Sequence, residues 1–161
     1  MNELRLIEIY YGDKCAKRSK VPYINHIYEG IKILKYINAS EYAIRAYCLH
    51  PVFQMDEDLI ANIALIYYQD PAIMTLVMEY RNQANAWLSD KVQGGNLIGQ
   101  PTSGPLIDVK HMLIADKVQN FKDFELYHKE SHLRRRDLWL YFNEWCRNLD
   151  IDYSELKKVI S

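Results

Sequence analysis

The chain has 161 residues, 49% of them hydrophobic and 25% charged, with a formal net charge of −1. That length fits one domain over residues 1–161, burying roughly two-thirds of its extended-chain surface, and the balance excludes long disorder. The near-neutral charge gives no reason to expect a nucleic-acid polymer as partner, so any attraction for phosphate is local.

The three cysteines (Cys15, Cys48, Cys146) are far apart and form no CxxC pair, so neither a disulfide framework nor structural zinc is expected. The start, Asn2-Glu3-Leu4-Arg5, has no apolar signal core, and no apolar run reaches membrane-spanning length. A cytoplasmic protein without membrane partners is the expectation. Thirteen tyrosines, with many Ile, Asn and Lys residues, fit an AT-rich bacterial or phage genome.

Hydrophobic periodicity predicts helices nearly throughout. Leu4, Ile7, Tyr10 and Tyr11 mark a first amphipathic helix, ended near Gly12-Asp13, and Ile27, Ile31, Leu34 and Ile37 mark a second. Ser40 is placed to cap a third, with Glu41 and Arg45 spaced as an i,i+4 pair. Leu59, Ile63 and Ile66 give an apolar fourth, and Asp70-Pro71 opens a fifth running towards Trp87. The segment from Val92 to Pro105 holds four of the six glycines and breaks the pattern as a loop. Its Gly94-Gly95 lacks the context of a phosphate-binding P-loop. Helices resume at 106–120 and around 121–129, then at about 133–149, with a short one near 153–160. No run of period-two alternation appears, so the fold class is all-α.

Four segments carry candidate chemistry. The first, Asp13 to His26, is a basic stretch (Lys14, Lys17, Arg18, Lys20) leading into Pro22-Tyr23-Ile24-Asn25-His26. The second runs through Leu49-His50-Pro51 to Gln54-Met55, and the third is Leu113-Ile114-Ala115-Asp116-Lys117-Val118-Gln119-Asn120. The fourth begins at Arg134-Arg135-Arg136-Asp137 and closes with Tyr141-Phe142-Asn143-Glu144-Trp145. Taken singly, His26 and His50 read as hydrogen-bonded core histidines, and the four basic residues as a solvated face or a phosphate-attracting patch. Arg134 to Arg136 divide between surface and salt bridge, since successive helical residues point apart. His111, His128 and His132 show no metal-ligand spacing, because the step from His128 to His132 lacks the glutamate of an HExxH motif. Trp87, Trp139 and Trp145 read as core.

Taken in order, the four segments resemble those of metal-dependent HD phosphohydrolases. Within that superfamily they are most similar to the hydrolase domain of the RelA/SpoT family, which removes the 3′-pyrophosphate from guanosine alarmones. The resemblance runs from Ile7 to Leu149. It implies an HD-domain-like helical bundle with His26, His50 and Asp116 as ligands of a divalent metal, usually Mn²⁺. It further implies Lys17, Arg18, Lys20 and Asn120 as nucleotide-binding residues, with Arg18 packed on the base. An imidazole and carboxylate shell suits a fairly hard metal that polarises a phosphoryl oxygen.

The departures from the family pattern lie in the second segment. Pro51 stands where the family has the dyad aspartate, its fourth ligand, and Gln54 and Met55 stand where it has a glutamate and an aspartate that prepare the attacking water. Proline offers no ligand, and neither Gln54 nor Met55 is a base near neutral pH. No catalytic residue is therefore expected, and the cofactor is none or weakly bound Mn²⁺. Proline also biases His50 away from helical geometry. Asp56-Glu57-Asp58 either supply carboxylates from a shifted register or serve a helix start near Glu57 with Asp56 as its cap.

The leading expectation is a degenerate hydrolase, a pseudoenzyme that binds or sequesters a phosphorylated nucleotide, as a viral counter-defence sponge could. The alternatives are a Mn²⁺-dependent pyrophosphohydrolase with a rebuilt metal site and a protein–protein interaction module on a vestigial fold.

Overall fold

Short polar side chains set the helix starts in the computed structural model, which describes residues 2–99, 101 and 106–161. Asn2 Oδ1 accepts the Arg5 amide at 3.1 Å to open α1 (Glu3–Tyr11), and Gly12, at φ 50°, closes it. Helix α2 spans Ile24–Tyr36. Ser40 Oγ accepts from the Ala43 amide at 3.0 Å to cap α3 (Glu41–Phe53). After α4 (Asp56–Asn62) and a 3-10 turn (Ile63–Tyr68), Asp70 caps α5 (Pro71–Ala86) through the Ala72 amide at 2.8 Å, with proline in the first turn. Helix α6 (Ile107–Tyr127), α7 (Arg135–Asn148) and α8 (Tyr153–Lys158) complete the set, the last capped by Asp152. Each such cap stabilises its helix by roughly 1 kcal/mol.

The core forms around α3, whose Ala43, Ala46, Tyr47, Leu49, Val52 and Phe53 are fully buried. Helices α1, α2, α5 and α6 all pack against it. Burying each large apolar side chain contributes roughly 1.5–3 kcal/mol. An all-α bundle results. Among the described residues, the exception is a hairpin of β1 (Val92–Gln93) and β2 (Asn96–Leu97).

Several local expectations are corrected. Gly94 and Gly95 do not merely interrupt the chain: both have positive φ (60° and 80°), as a two-residue hairpin turn requires, and the Asp137 carboxylate accepts the Gly95 amide at 2.6 Å. Gln100 and residues 102–105, including Gly104 and Pro105 of the expected loop, lie outside the described residues, as does Met1. One continuous α6 replaces the two helices expected on either side of Asn120, because no glycine or proline interrupts it and buried Phe121 and Phe124 keep it on the core. Arg45 pairs with Glu3 of α1 at 2.6 Å rather than with Glu41, which ties two helices together. Trp87 and Trp145 are buried as expected, but Trp139 is 49% exposed because it lies on the outer face of α7. The segment 56–68 contributes no fully buried side chain, although it is apolar.

Gly30 of α2 sits against the buried Tyr47 ring so closely that an added Cβ would fall within the phenol. Gly30→Ala is expected to lower unfolding stability by about 1–3 kcal/mol, the usual cost of overpacking. Urea denaturation checks this, and unchanged stability would show that the Tyr47 ring can move aside freely.

Candidate functional site

Three helices bring His26 (α2), His50 (α3) and Asp116 (α6) together, with one potential ligand atom from each within 4.8 Å of the others. The outward hydrogen bonds of the rings decide what faces inward. Gln119 Nε2 donates to Asp123 Oδ2 at 2.8 Å and to Glu29 Oε2 at 3.1 Å, which turns Gln119 Oε1 towards His26 Nδ1 at 2.6 Å. An amide oxygen only accepts, so Nδ1 carries the proton and His26 Nε2 keeps a lone pair.

His50 reaches the same state by another route. Pro51 lies inside α3 and has no amide hydrogen, which frees the carbonyl of Tyr47 four residues earlier. His50 Nδ1 donates to that carbonyl at 2.6 Å. The expectation that Pro51 would draw His50 out of helical geometry is therefore corrected: the ring takes over the bond that proline gave up, and its Nε2 points at the cluster. The two Nε2 atoms lie 3.2 Å apart, and Asp116 Oδ1 lies 3.5 Å from that of His26 and 3.9 Å from that of His50.

Burial above all pushes the His50 pKa down to about 3 against the pull of Asp116, so this ring is neutral at ordinary pH. Burial opposes the charged form of Asp116, yet the Lys117 ammonium beside it holds its pKa down at about 2. Lys117 Nζ is 2.7 Å from Asp116 Oδ2 and lies over the Trp145 ring, 4.9 Å from its centroid. Two neutral imidazole nitrogens and a carboxylate fit a divalent first-row ion. The buried ammonium beside Asp116 competes with that ion for the same charge.

The cluster lies on a cavity of about 810 Å³, within the size range of small-ligand sites. Pro51 and Gln54 line it where carboxylates were missing from the sequence pattern, whereas Met55 is exposed and outside it. Arg18 and Asn120 line it as well, Asn120 donating to Asp116 Oδ1 at 2.8 Å. Lys17 and Lys20 do not; they are exposed on the outside of the same turn. That turn is held by main-chain bonds, Ala16 N–H to Val21 O at 2.9 Å and Tyr23 N–H to Lys14 O at 3.0 Å.

The acidic run after Met55 stays out of the cavity. Asp56 is the first residue of α4 rather than its cap and pairs with Arg81, and Asp58 accepts from the Tyr10 hydroxyl at 3.2 Å. A rebuilt metal shell would not draw on them. Gln119, His128 and His132 line the cavity without having been singled out as site residues. For Gln119 the available signal was its place three residues after Asp116, on the same helical face.

Neither a family model nor a curated protein matches the sequence. Among solved structures the fold is similar to one described as "A metazoan ortholog of SpoT hydrolyzes ppGpp and plays a role in starvation responses". The two share 18% identity over 98% of this chain and 89% of that chain, with a TM-score of 0.61. At that identity the likeness shows the fold alone, an all-α HD-domain-like helical bundle.

Because folding lowers the His50 pKa from 6.5 to about 3, the unfolded chain binds more protons between those values. The stability from burying a neutral ring is thus present above about pH 6.5 and lost as pH falls towards 3. With a chelator present, unfolding free energy from urea titrations is expected to fall between about pH 7 and pH 4.5. His111 and His132 are shifted in the same direction. His50→Gln isolates the contribution of His50, and should flatten the slope. Equal slopes for variant and wild type would contradict the assignment.

Proposed function

We propose that this chain binds a phosphorylated nucleotide in the cavity beside His26, His50 and Asp116 and does not hydrolyse it efficiently. The observation that carries this reading is the uneven preservation of the cavity. Its floor keeps three convergent acceptors and its rim keeps Arg18, but Pro51 and Gln54 fill the places of the carboxylates. Among the described residues Arg18 has no carboxylate partner, so its guanidinium is available to a ligand.

His26, His50 and Asp116 would hold a divalent ion such as Mn²⁺, weakly, since Lys117 already neutralises the one carboxylate. Such an ion, when bound, polarises a phosphoryl oxygen and lowers the pKa of water. The chain's own groups add little to that. Gln54 can orient a water by hydrogen bonding but cannot take its proton, a loss of roughly 10²–10⁴ in rate where a general base is needed. A protein that holds such a nucleotide without consuming it acts as a sensor or sponge, and the latter suits counter-defence in a phage.

A separate observation favours a protein partner as a second reading. Ile60, Ile63, Tyr67 and Tyr68 leave an apolar face exposed along 60–68, with Tyr67 at 88% and Tyr68 at 83%. Clustered apolar exposure of this kind marks interaction surfaces.

Calorimetric titration with guanosine 3′,5′-bis(diphosphate) tests the first reading. Arg18→Ala is expected to weaken binding by about 10- to 100-fold, the loss of one charge-assisted contact. Steady release of pyrophosphate by the unmutated protein, abolished by a chelator, would show an enzyme instead. Pro51→Asp combined with Gln54→Glu should tighten Mn²⁺ binding by at least about tenfold, as restored ligands and their supports do elsewhere. Unchanged Mn²⁺ affinity in that variant would remove the explanation offered for the weak site.

A further inference from the structure

The nucleotide-pocket reading uses Arg18 and the three-residue cluster but leaves two imidazoles on the same cavity without a role. His128 ends α6, and His132 follows one turn later, with ring centroids 6.3 Å apart. Their backbones are tied into consecutive turns: His128 N–H donates to Phe124 O at 2.9 Å, His132 N–H to His128 O at 2.9 Å, and Arg135 N–H to His132 O at 3.1 Å. These bonds fix the path of the chain that carries both rings.

The His132 ring is oriented as a donor. His132 Nδ1 accepts the Arg134 amide at 3.0 Å, which places the ring proton on Nε2. The Nδ1 of His128 is buried without a hydrogen-bond partner, so Nε2 is the nitrogen by which that ring meets a ligand. Arg18 lines the same cavity, and burial first, then the charge of Arg18, disfavours the His132 imidazolium. A guanidinium on the same cavity as the His132 N–H donor and a second imidazole repels a cation and suits a phosphoryl oxygen.

We propose that Arg18, His128 and His132 form an anion-binding subsite of the cavity, distinct from the His26–His50–Asp116 cluster, which takes a phosphoryl group of the ligand. It rests on the nucleotide-pocket reading and deepens it. Twelve residues separate Asp116 from His128 along α6, about 18 Å at 1.5 Å per residue, so the two sets of groups grip different parts of one ligand. The cavity thereby favours a nucleotide phosphorylated on two sides of its sugar over one phosphorylated on a single side. It also turns the guanidinium of Arg18 towards phosphate rather than towards the base.

The test uses the whole chain, with guanosine 3′,5′-bis(diphosphate), inorganic pyrophosphate and guanosine as separate calorimetric probes. His132→Asn keeps an acceptor for the Arg134 amide and removes the Nε2 donor, whereas His132→Gln keeps a donor near that position; His128→Ala serves as an independent variant. His132→Asn and His128→Ala should each weaken binding of the bis(diphosphate) by about tenfold or more, with His132→Gln nearer to wild type and guanosine unaffected. Pyrophosphate binding by wild type that either variant abolishes would support an anion subsite independent of the nucleoside. Wild type that binds the bis(diphosphate) while all three variants bind it equally well overturns the subsite and leaves the pocket reading standing. Wild type that binds none of the probes overturns both.

Discussion

The interior of this protein must hold three lone-pair-bearing atoms together in a place largely closed to water. His26 Nε2, His50 Nε2 and Asp116 Oδ1 come from three helices and would separate if nothing fixed the far sides of their side chains. The far sides are fixed. Gln119, held by Asp123 and Glu29, orients one ring; the Tyr47 carbonyl orients the other; Lys117 and Asn120 share the carboxylate. Much of the packing serves these supports. Tyr47 fits under Gly30, α3 is buried on several sides, and the unbroken α6 carries five side chains of this network.

The network also changes what the floor of the cavity attracts. With His50 neutral and Asp116 matched by Lys117, the formal charge of that carboxylate–ammonium pair is zero. Aspartate at position 51 and glutamate at position 54 would make the same region strongly negative, a good place for a divalent ion and a poor one for bare phosphate. Proline and glutamine remove that repulsion. A cavity of this composition can approach a polyphosphate without a metal between them, which is the electrostatic basis of the proposed binding without cleavage.

Much of the fold was legible because its signals are local. Ser40 and Asp70-Pro71 announce helix starts through backbone chemistry that needs no tertiary partner, and the structure has both. The convergence of His26, His50 and Asp116 could be anticipated only from the order of the segments around them, since spacing says nothing about residues so far apart. What was illegible depended on neighbours in space. Spacing offers Arg45 only Glu41, and its pairing with Glu3 instead follows from how α1 lies on α3. The effect of Pro51 is hidden because the preference of residues before proline concerns the backbone alone, whereas here a side chain supplies the missing donor. His128 and His132 were weighed against a zinc motif, and only the cavity shows them beside Arg18.

The turn that carries Arg18 owes its path to atoms every residue has. Ala16 bonds Val21, Lys20 bonds Ala16 and Tyr23 bonds Lys14 entirely through the main chain, with Lys20 alone in a left-handed conformation. Side chains at 17 and 18 can therefore be exchanged over generations without redirecting the loop, whereas a change at Gln119 or Tyr47 disturbs an orientation on which other groups rely. Selection acting on ligand preference has an inexpensive place to work at the rim and almost none at the floor. Descendants of this sequence should drift in what they recognise well before they drift in how the recognition site is built.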